Sequence, residues 1–412
     1  MFSALLLRGW LIFPLSAQPT VPSILMDGHV HITNRVYWEG IDPWQRQPIG
    51  PWDYSRAWDS GLNVAIENIG TYGYTNYNGT VKQALRLIEA FHKVLETHQD
   101  RMEMAVDSAG VRRIVNSGKM AVILGIEAGF DNEGDVSVLD AMYRLGVRSI
   151  QFSGHETTAY ADANRGPARW NGINAQGRRL IREMNRLGII IDISHASEAA
   201  QLAIIDASSA PVVASHTAMR QLCPNPANLS DNTSKRLAAK GGLVGIQGAA
   251  EVLSARYYEW SKNHPEPPNE TGWTLADLTR FLPDLIRSPN LDFGSYEEQL
   301  DWTTGQRWRE FYSRPWHERA EAEPLLPTVD DWAAHVAHVI ALVGPKHVAI
   351  GLDLVHGRGA LRDFDASQYE KLPRALSARG ISAGAIRQIM GENWLRILEA
   401  ARTPAVKAGS DK

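Results

Sequence analysis

Cysteine is almost absent from this chain. Cys223 is the only one in 412 residues, which excludes an intrachain disulfide framework and a multi-cysteine zinc site. Any metal would then be held by histidines and carboxylates. Long apolar runs are scarce too: beyond the first residues nothing approaches the roughly 20 apolar residues that span a bilayer, so no membrane span is expected. Charge of one sign is not concentrated either. Charged residues make up 21% with a net charge of −4 and no long single-sign run, so no basic footprint points to nucleic acid or an anionic membrane surface. A small-molecule partner is the remaining expectation. A glycine-rich phosphate loop after the first strand is also missing, since Gly28 stands alone there.

What is present begins at the N-terminus. Residues 1–18 join an apolar run to small residues and resemble a poor secretion signal, with Arg8 and the bulky Leu15 speaking against one. Cytoplasmic and exported (periplasmic or secreted) locations both stay open. The expected organisation is an N-terminal segment 1–23, a single barrel over 24–402, and a disordered tail over 403–412.

Within the barrel, apolar runs alternate with helical spacing. Runs at 24–26, 62–66, 120–126, 148–152, 189–193, 211–214, 242–246 and 347–352 read as strands. The continuous apolar character of several fits parallel strands covered on both faces. Helices are expected over 80–117, 136–145, 176–187, 197–207, 231–240 and 329–343. About eight strands alternating with helices is the count that closes a (β/α)₈ TIM-type barrel, preferred here over an open doubly wound sheet. Two stretches break the rhythm. Residues 34–60 read as a long loop whose Tyr37, Trp38, Trp44, Trp52 and Tyr54 suggest either a wall over a pocket or a packed surface loop. A Trp-rich insertion after strand seven, 251–327, is too long for a plain connection and suggests a lid, a subunit contact or a self-packed subdomain.

Strand ends on one rim of such a barrel converge, so the polar residues just after each run belong together. Strand one ends in His29 and His31, strand three in Glu127, strand four in His155, strand five in His195, strand six in His216 and strand eight in Asp353. Four histidines and a carboxylate suffice for two first-row divalent ions, with Glu127 able to bridge them. Paired metals acidify a water and polarise a carbonyl, which is hydrolytic chemistry, and Asp353 could accept and return the proton.

These residues also carry a family resemblance. The chain resembles the membrane (renal-type) dipeptidase family, peptidase family M19 of the amidohydrolase superfamily. The match lies in Asp27-Gly28-His29, Gly125-Ile126-Glu127-Ala128-Gly129, the run 177–188 leading into Ile191-Asp192-Ile193-Ser194-His195, Ser215-His216-Thr217, Asn228-Leu229-Ser230-Asp231, Gly351-Leu352-Asp353 and Gly391-Glu392-Asn393-Trp394-Leu395-Arg396. The resemblance implies a zinc dipeptidase with His29 and His31 on one zinc, His195 and His216 on the other, and Glu127 between them. It gives His155 to the tetrahedral intermediate and Asp353 to the proton, and implies a homodimer. Two departures stand out. His31 occupies a position where the family has aspartate, and Ala227 stands where it has an arginine for the substrate's terminal carboxylate. Arg220, Arg256 or Arg358 would have to replace that contact for a dipeptide-like substrate. Otherwise the substrate is a non-dipeptide amide, a cyclic amide or an ester. A non-catalytic zinc-binding interaction protein is the remaining alternative.

Overall fold

The computed structural model describes residues 24–48, 50–70, 80–127, 135–154, 157–165, 167–264, 321–354 and 360–402. Eight parallel strands follow one another in the order β1 (Met26–Val30), β2 (Val64–Gly70), β4 (Met120–Glu127), β5 (Val147–Gln151), β6 (Ile190–Asp192), β7 (Val213–Thr217), β8 (Leu243–Ile246) and β9 (Val348–Ile350). A short strand, β3 (Met102–Met104), pairs with β4 off this path. Helices connect the strands, giving the expected (β/α)₈ barrel. Its seam between β9 and β1 is drawn together by Asp353 N–H donating to His29 O (3.1 Å) and Leu352 N–H donating to Asp27 Oδ1 (3.0 Å).

Alternation along the strands sorts side chains into an outer and an inner set. In β4 the outward Val122, Leu124 and Ile126 join the large apolar shell under the surrounding helices. The inward Ala121 and Ile123 join a second cluster with Val64, Ile66, Ile190, Val213, Leu243 and Ala349. That second cluster fills the N-terminal end of the barrel and is closed by the terminal helix Asn393–Arg402. Trp394 is its plug: the indole is fully buried and its Nε1–H donates to Ile350 O at 2.8 Å. A Cβ at position 28 would lie 2.0 Å from the indole, so only glycine fits there. The motif 391–396, shared with the resembled family, is thus the barrel's floor.

Several expectations need adjusting. The stretch 80–117 holds helices Thr80–Thr97 and Ser108–Asn116 with β3 between them. The stretch 34–60 contains helices Thr33–Glu39 and Tyr54–Asp59. Trp38, Trp44, Trp52 and Tyr54 are buried core, with Trp44 stacked on Tyr54 at 5.6 Å. These four are packed into the core, where apolar rings gain more than in water, whereas Tyr37 is partly buried and lines a cavity of about 610 Å³ with Val36, Ile41 and Pro43. Of the Trp-rich insertion, helices Ala250–Leu253 and Ala255–Asn263 are described, whereas 265–320 lie outside the described residues, as do 1–23 and 403–412.

Candidate metal centre

Moving up the inside of the barrel, the apolar floor gives way to a layer of small and polar residues and then to the rim. Gly125, Gly245 and Gly351 belong to the middle layer. Each stands two residues before an inward polar side chain, respectively Glu127, Gln247 and Asp353. The glycines are needed: a Cβ at 245 or 351 would lie 1.9 or 1.8 Å from Ser215 O, and one at 125 would lie 2.2 Å from Asn68 Oδ1. Polar groups from neighbouring strands fill the space a side chain would have taken.

Above this layer four imidazoles from two strand ends and one loop surround a single carboxylate. Glu127 is 2% exposed, and its Oε2 lies 2.7 Å from His29 Nε2 and in contact with His31 Nε2. Its Oε1 faces His195 Nε2 at 3.3 Å and His216 Nε2 at 3.5 Å. Within each pair the Nε2 atoms are 2.9 Å apart, both for His29 with His31 and for His195 with His216. One carboxylate oxygen therefore serves each pair. Among the described residues two groups of buried donors could hold a metal: His29 with Glu127 and His216, which spans the two pairs, and His29 with His31 and Asp353.

Protonation is divided unevenly among the histidines of the cluster. Burial pushes His29 down to about 4, and the neighbouring His216 adds to the fall. Burial also lowers His195. His216 moves the other way: burial works against its charge, but Glu127, Asp353 and Asp192 raise it to about 9. Glu127 itself, despite burial, is held well below the usual carboxylate range by the surrounding histidines. Nitrogen and oxygen donors converging at this spacing fit divalent ions of the first transition row.

Two of the rim residues carry unusual backbone. His195 (φ +62°) and Asp353 (φ +51°) adopt the left-handed region, which few non-glycine residues occupy outside sites where the surroundings enforce it. Asp353 is held further: its Oδ2 accepts from Gln247 Nε2 at 2.6 Å, and its Oδ1 lies 3.7 Å from His31 Nε2.

The model of the membrane dipeptidase family (peptidase family M19) matches residues 20–411. The chain belongs to that family. Among curated proteins it is 28% identical over 324 residues to dipeptidase tcpJ of Claviceps purpurea (strain 20.1), a match spanning 78% of this chain and 60% of the fungal protein. It is 30% identical over 178 residues to human dipeptidase 3, spanning 42% and 36% of the two chains. Two solved structures share the fold. One is the probable dipeptidase PvdM from Pseudomonas aeruginosa (TM-score 0.70, 21% identity, 92% of this chain and 95% of that one). The other is a metallo peptidase from Rhodobacter sphaeroides liganded with a phosphinate mimic of L-Ala-D-Ala (TM-score 0.69, 19% identity, 92% and 99%).

In this member of the M19 family the side chains of His29, His31, Glu127, His195, His216 and Asp353 lie together at one end of the barrel. His155 and Arg358, the expected partners of the substrate, lie outside the described residues. Arg220 is described and does not point to a substrate role. Its Nη1 donates to Glu198 Oε2 at 2.7 Å, its Nε to Asn228 O at 3.0 Å and its Nη2 to Pro226 O at 3.4 Å. Those bonds tie down the loop that follows β7. Ala227, in that loop, offers only backbone: its N–H donates to Asn225 Oδ1 and its O accepts from Thr217 Oγ1.

Sequence reasoning missed the residues that hold the rim in place. Gln247 escaped because an amide after an apolar run gives no chemical signal by itself. The repeated pattern of a glycine two places before a polar strand end, shared with Glu127 and Asp353, would have found it. Asp27, visible in the sequence only as part of a motif, accepts from Tyr369 Oη (2.5 Å), Leu352 N and His29 N, and burial raises it to about 6. Asp192 and Ser215 were likewise passed over.

Proposed function

We propose that this chain is a metal-dependent hydrolase cleaving an amide bond in dipeptides or dipeptide-like small molecules. The observation that carries the reading is the convergence of four imidazole Nε2 atoms on the two oxygens of one buried carboxylate, Glu127. His29 and His31 would hold one divalent ion, His195 and His216 the other, with Glu127 between; zinc suits this donor set. Two such ions, when bound, lower the pKa of a water and polarise a carbonyl. The protein's own part is positional and protonic. Asp353, fixed by Gln247 and by its left-handed backbone, takes the water's proton at a carboxylate oxygen and returns it to the leaving nitrogen. Burial of the cluster excludes bulk water, which strengthens every charge interaction in it.

Family membership and the dipeptidase names of the relatives support this reading, although the chain spans only 60% of the fungal relative's length. A second reading is favoured by one observation: Ala227 is apolar and Arg220 is engaged by Glu198 and two carbonyls. A substrate without a free terminal carboxylate, such as an acylated or cyclic amide or an ester, would lose nothing from their absence. The test is turnover of L,L and L,D dipeptides beside acylated and cyclic amides, before chelation, after it, and after zinc is restored. Dipeptide activity that stops with metal removal and returns with zinc is expected; activity that persists in metal-free protein overturns the reading.

A further inference from the structure

We propose that Ser215, held by Asp192, is a positioning residue shared by both halves of the metal centre, one hydroxyl fixing the ring orientation of a histidine from each pair. The inference rests on the two-cation reading above and extends it to residues outside the ligand set.

Ser215 lies on β7 and Asp192 at the end of β6, both buried below the rim. Ser215 Oγ stands 2.9 Å from His29 Nδ1 and 2.8 Å from His216 Nδ1, and it donates to Asp192 Oδ2. The direction of that last bond follows from the carboxylate's other contacts, all of which are donors: Ser194 N (2.9 Å), Ser194 Oγ (2.8 Å) and Ser215 N (3.0 Å). A hydroxyl has one hydrogen and two lone pairs. With the hydrogen given to Asp192, both lone pairs face imidazole nitrogens, so each Nδ1 carries its own hydrogen and donates. With Nδ1–H committed to Ser215, Nε2 is the nitrogen left to face Glu127, and once any proton on it is lost it offers the lone pair by which a histidine binds a cation. A ligating histidine usually donates its second nitrogen to an oxygen of its own. Here a single oxygen serves two rings, whose centroids lie 3.7 Å apart.

The glycine layer makes this sharing feasible. Gly245 and Gly351 let the Ser215 backbone approach β8 and β9 more closely than any side chain would permit, which keeps the hydroxyl near the barrel axis. Two other groups stand close. Ser194 Oγ is 3.5 Å from Ser215 Oγ, but its hydrogen goes to Asp192. Asn68 Nδ2, which donates to Ile66 O at 3.2 Å, is 3.1 Å from His29 Nδ1. In the competing arrangement Asn68 donates to that nitrogen and His29 turns an N–H toward Glu127.

The test uses the full chain stripped of metal and titrated with zinc by calorimetry, together with ¹⁵N spectra of the histidine rings in the metal-free protein. Wild type should bind two zinc ions and show His29 and His216 protonated at Nδ1. Ser215→Ala should weaken both binding steps together, by about 10–100-fold each. Asp192→Asn keeps the shape but lets an amide donate to Ser215, so it should weaken both steps too. Ser215→Thr, which restores the hydroxyl, should recover binding. Weakening of one step only, or of neither, in a folded Ser215→Ala or Asp192→Asn protein overturns the inference while leaving the two-cation reading intact. A His29 ring unprotonated at Nδ1 in wild type overturns it as well, without any variant. Wild type that binds no zinc overturns both.

Discussion

The two ends of this barrel are built from the same strands and do opposite work. At the N-terminal end the inward residues are Ala121, Ile123, Ile190, Val213, Leu243 and Ala349, packed on Trp394 in ordinary strand and helix geometry. At the C-terminal end, three to six residues further along the same strands, the inward groups are carboxylates, imidazoles and amides, two of them on left-handed backbone. The floor is apolar and satisfied. The rim is buried, charged and strained, an arrangement that destabilises a fold unless a ligand compensates it. Family motifs lie at both ends, so a shared motif is not by itself a mark of chemistry: Gly391 to Arg396 seals the barrel, whereas Gly125 to Glu127 builds the site.

That contrast can be broken most severely at the rim. Glu127→Ala should abolish turnover and remove both metals; metal content and zinc calorimetry on one sample would show it. Asp353→Asn should lower turnover by about 10²–10⁴-fold with metal content unchanged, the range for loss of a positioned acid or base. The floor should answer in the other currency. Trp394→Ala should cost about 3–5 kcal/mol in denaturant unfolding, yet leave the turnover of the remaining folded molecules within twofold of wild type.

A subtler probe sits outside both ends. His335 accepts from Met219 N–H (3.0 Å) and donates to Leu253 O (3.1 Å), clasping the loop after β7 to the helix Ala250–Leu253. Burial lowers it to about 4 from a usual 6.5. The unfolded chain therefore takes up this proton first, so the contribution is complete above about pH 6.5 and is lost as pH falls toward 4, on the order of 3 kcal/mol. Unfolding curves of wild type and His335→Gln at several pH values should differ in slope across that window and nowhere above it. The smallest expected effect is at Ala227. Ala227→Arg should lower KM for dipeptides with a free carboxylate several-fold and leave kcat nearly unchanged; no change in KM would mean that another group already makes that contact.

Strands and rim were legible because a parallel barrel strand is apolar on both faces, and its end is marked by the first charged side chain. That logic located Glu127 at the end of β4 and Asp353 beyond β9. It failed for β3, three residues long and only partly buried, which looks like part of a helical stretch in Met102-Glu103-Met104. It failed also for the helices Thr33–Glu39 and Tyr54–Asp59, where prolines, glycines and large aromatics hide the period although Asp53 caps the second through its side chain. The supporting layer was the hardest to read. Serine, asparagine and glutamine are common in every setting, and what makes Ser215 and Gln247 matter is where neighbouring strands place them.

The most direct measurement is anomalous scattering at the zinc edge from crystals of the zinc-loaded protein. Two peaks flanking the Glu127 carboxylate, one at His29 and His31 and the other at His195 and His216, are the expected result. A single peak, or density bound by other residues, would contradict the account.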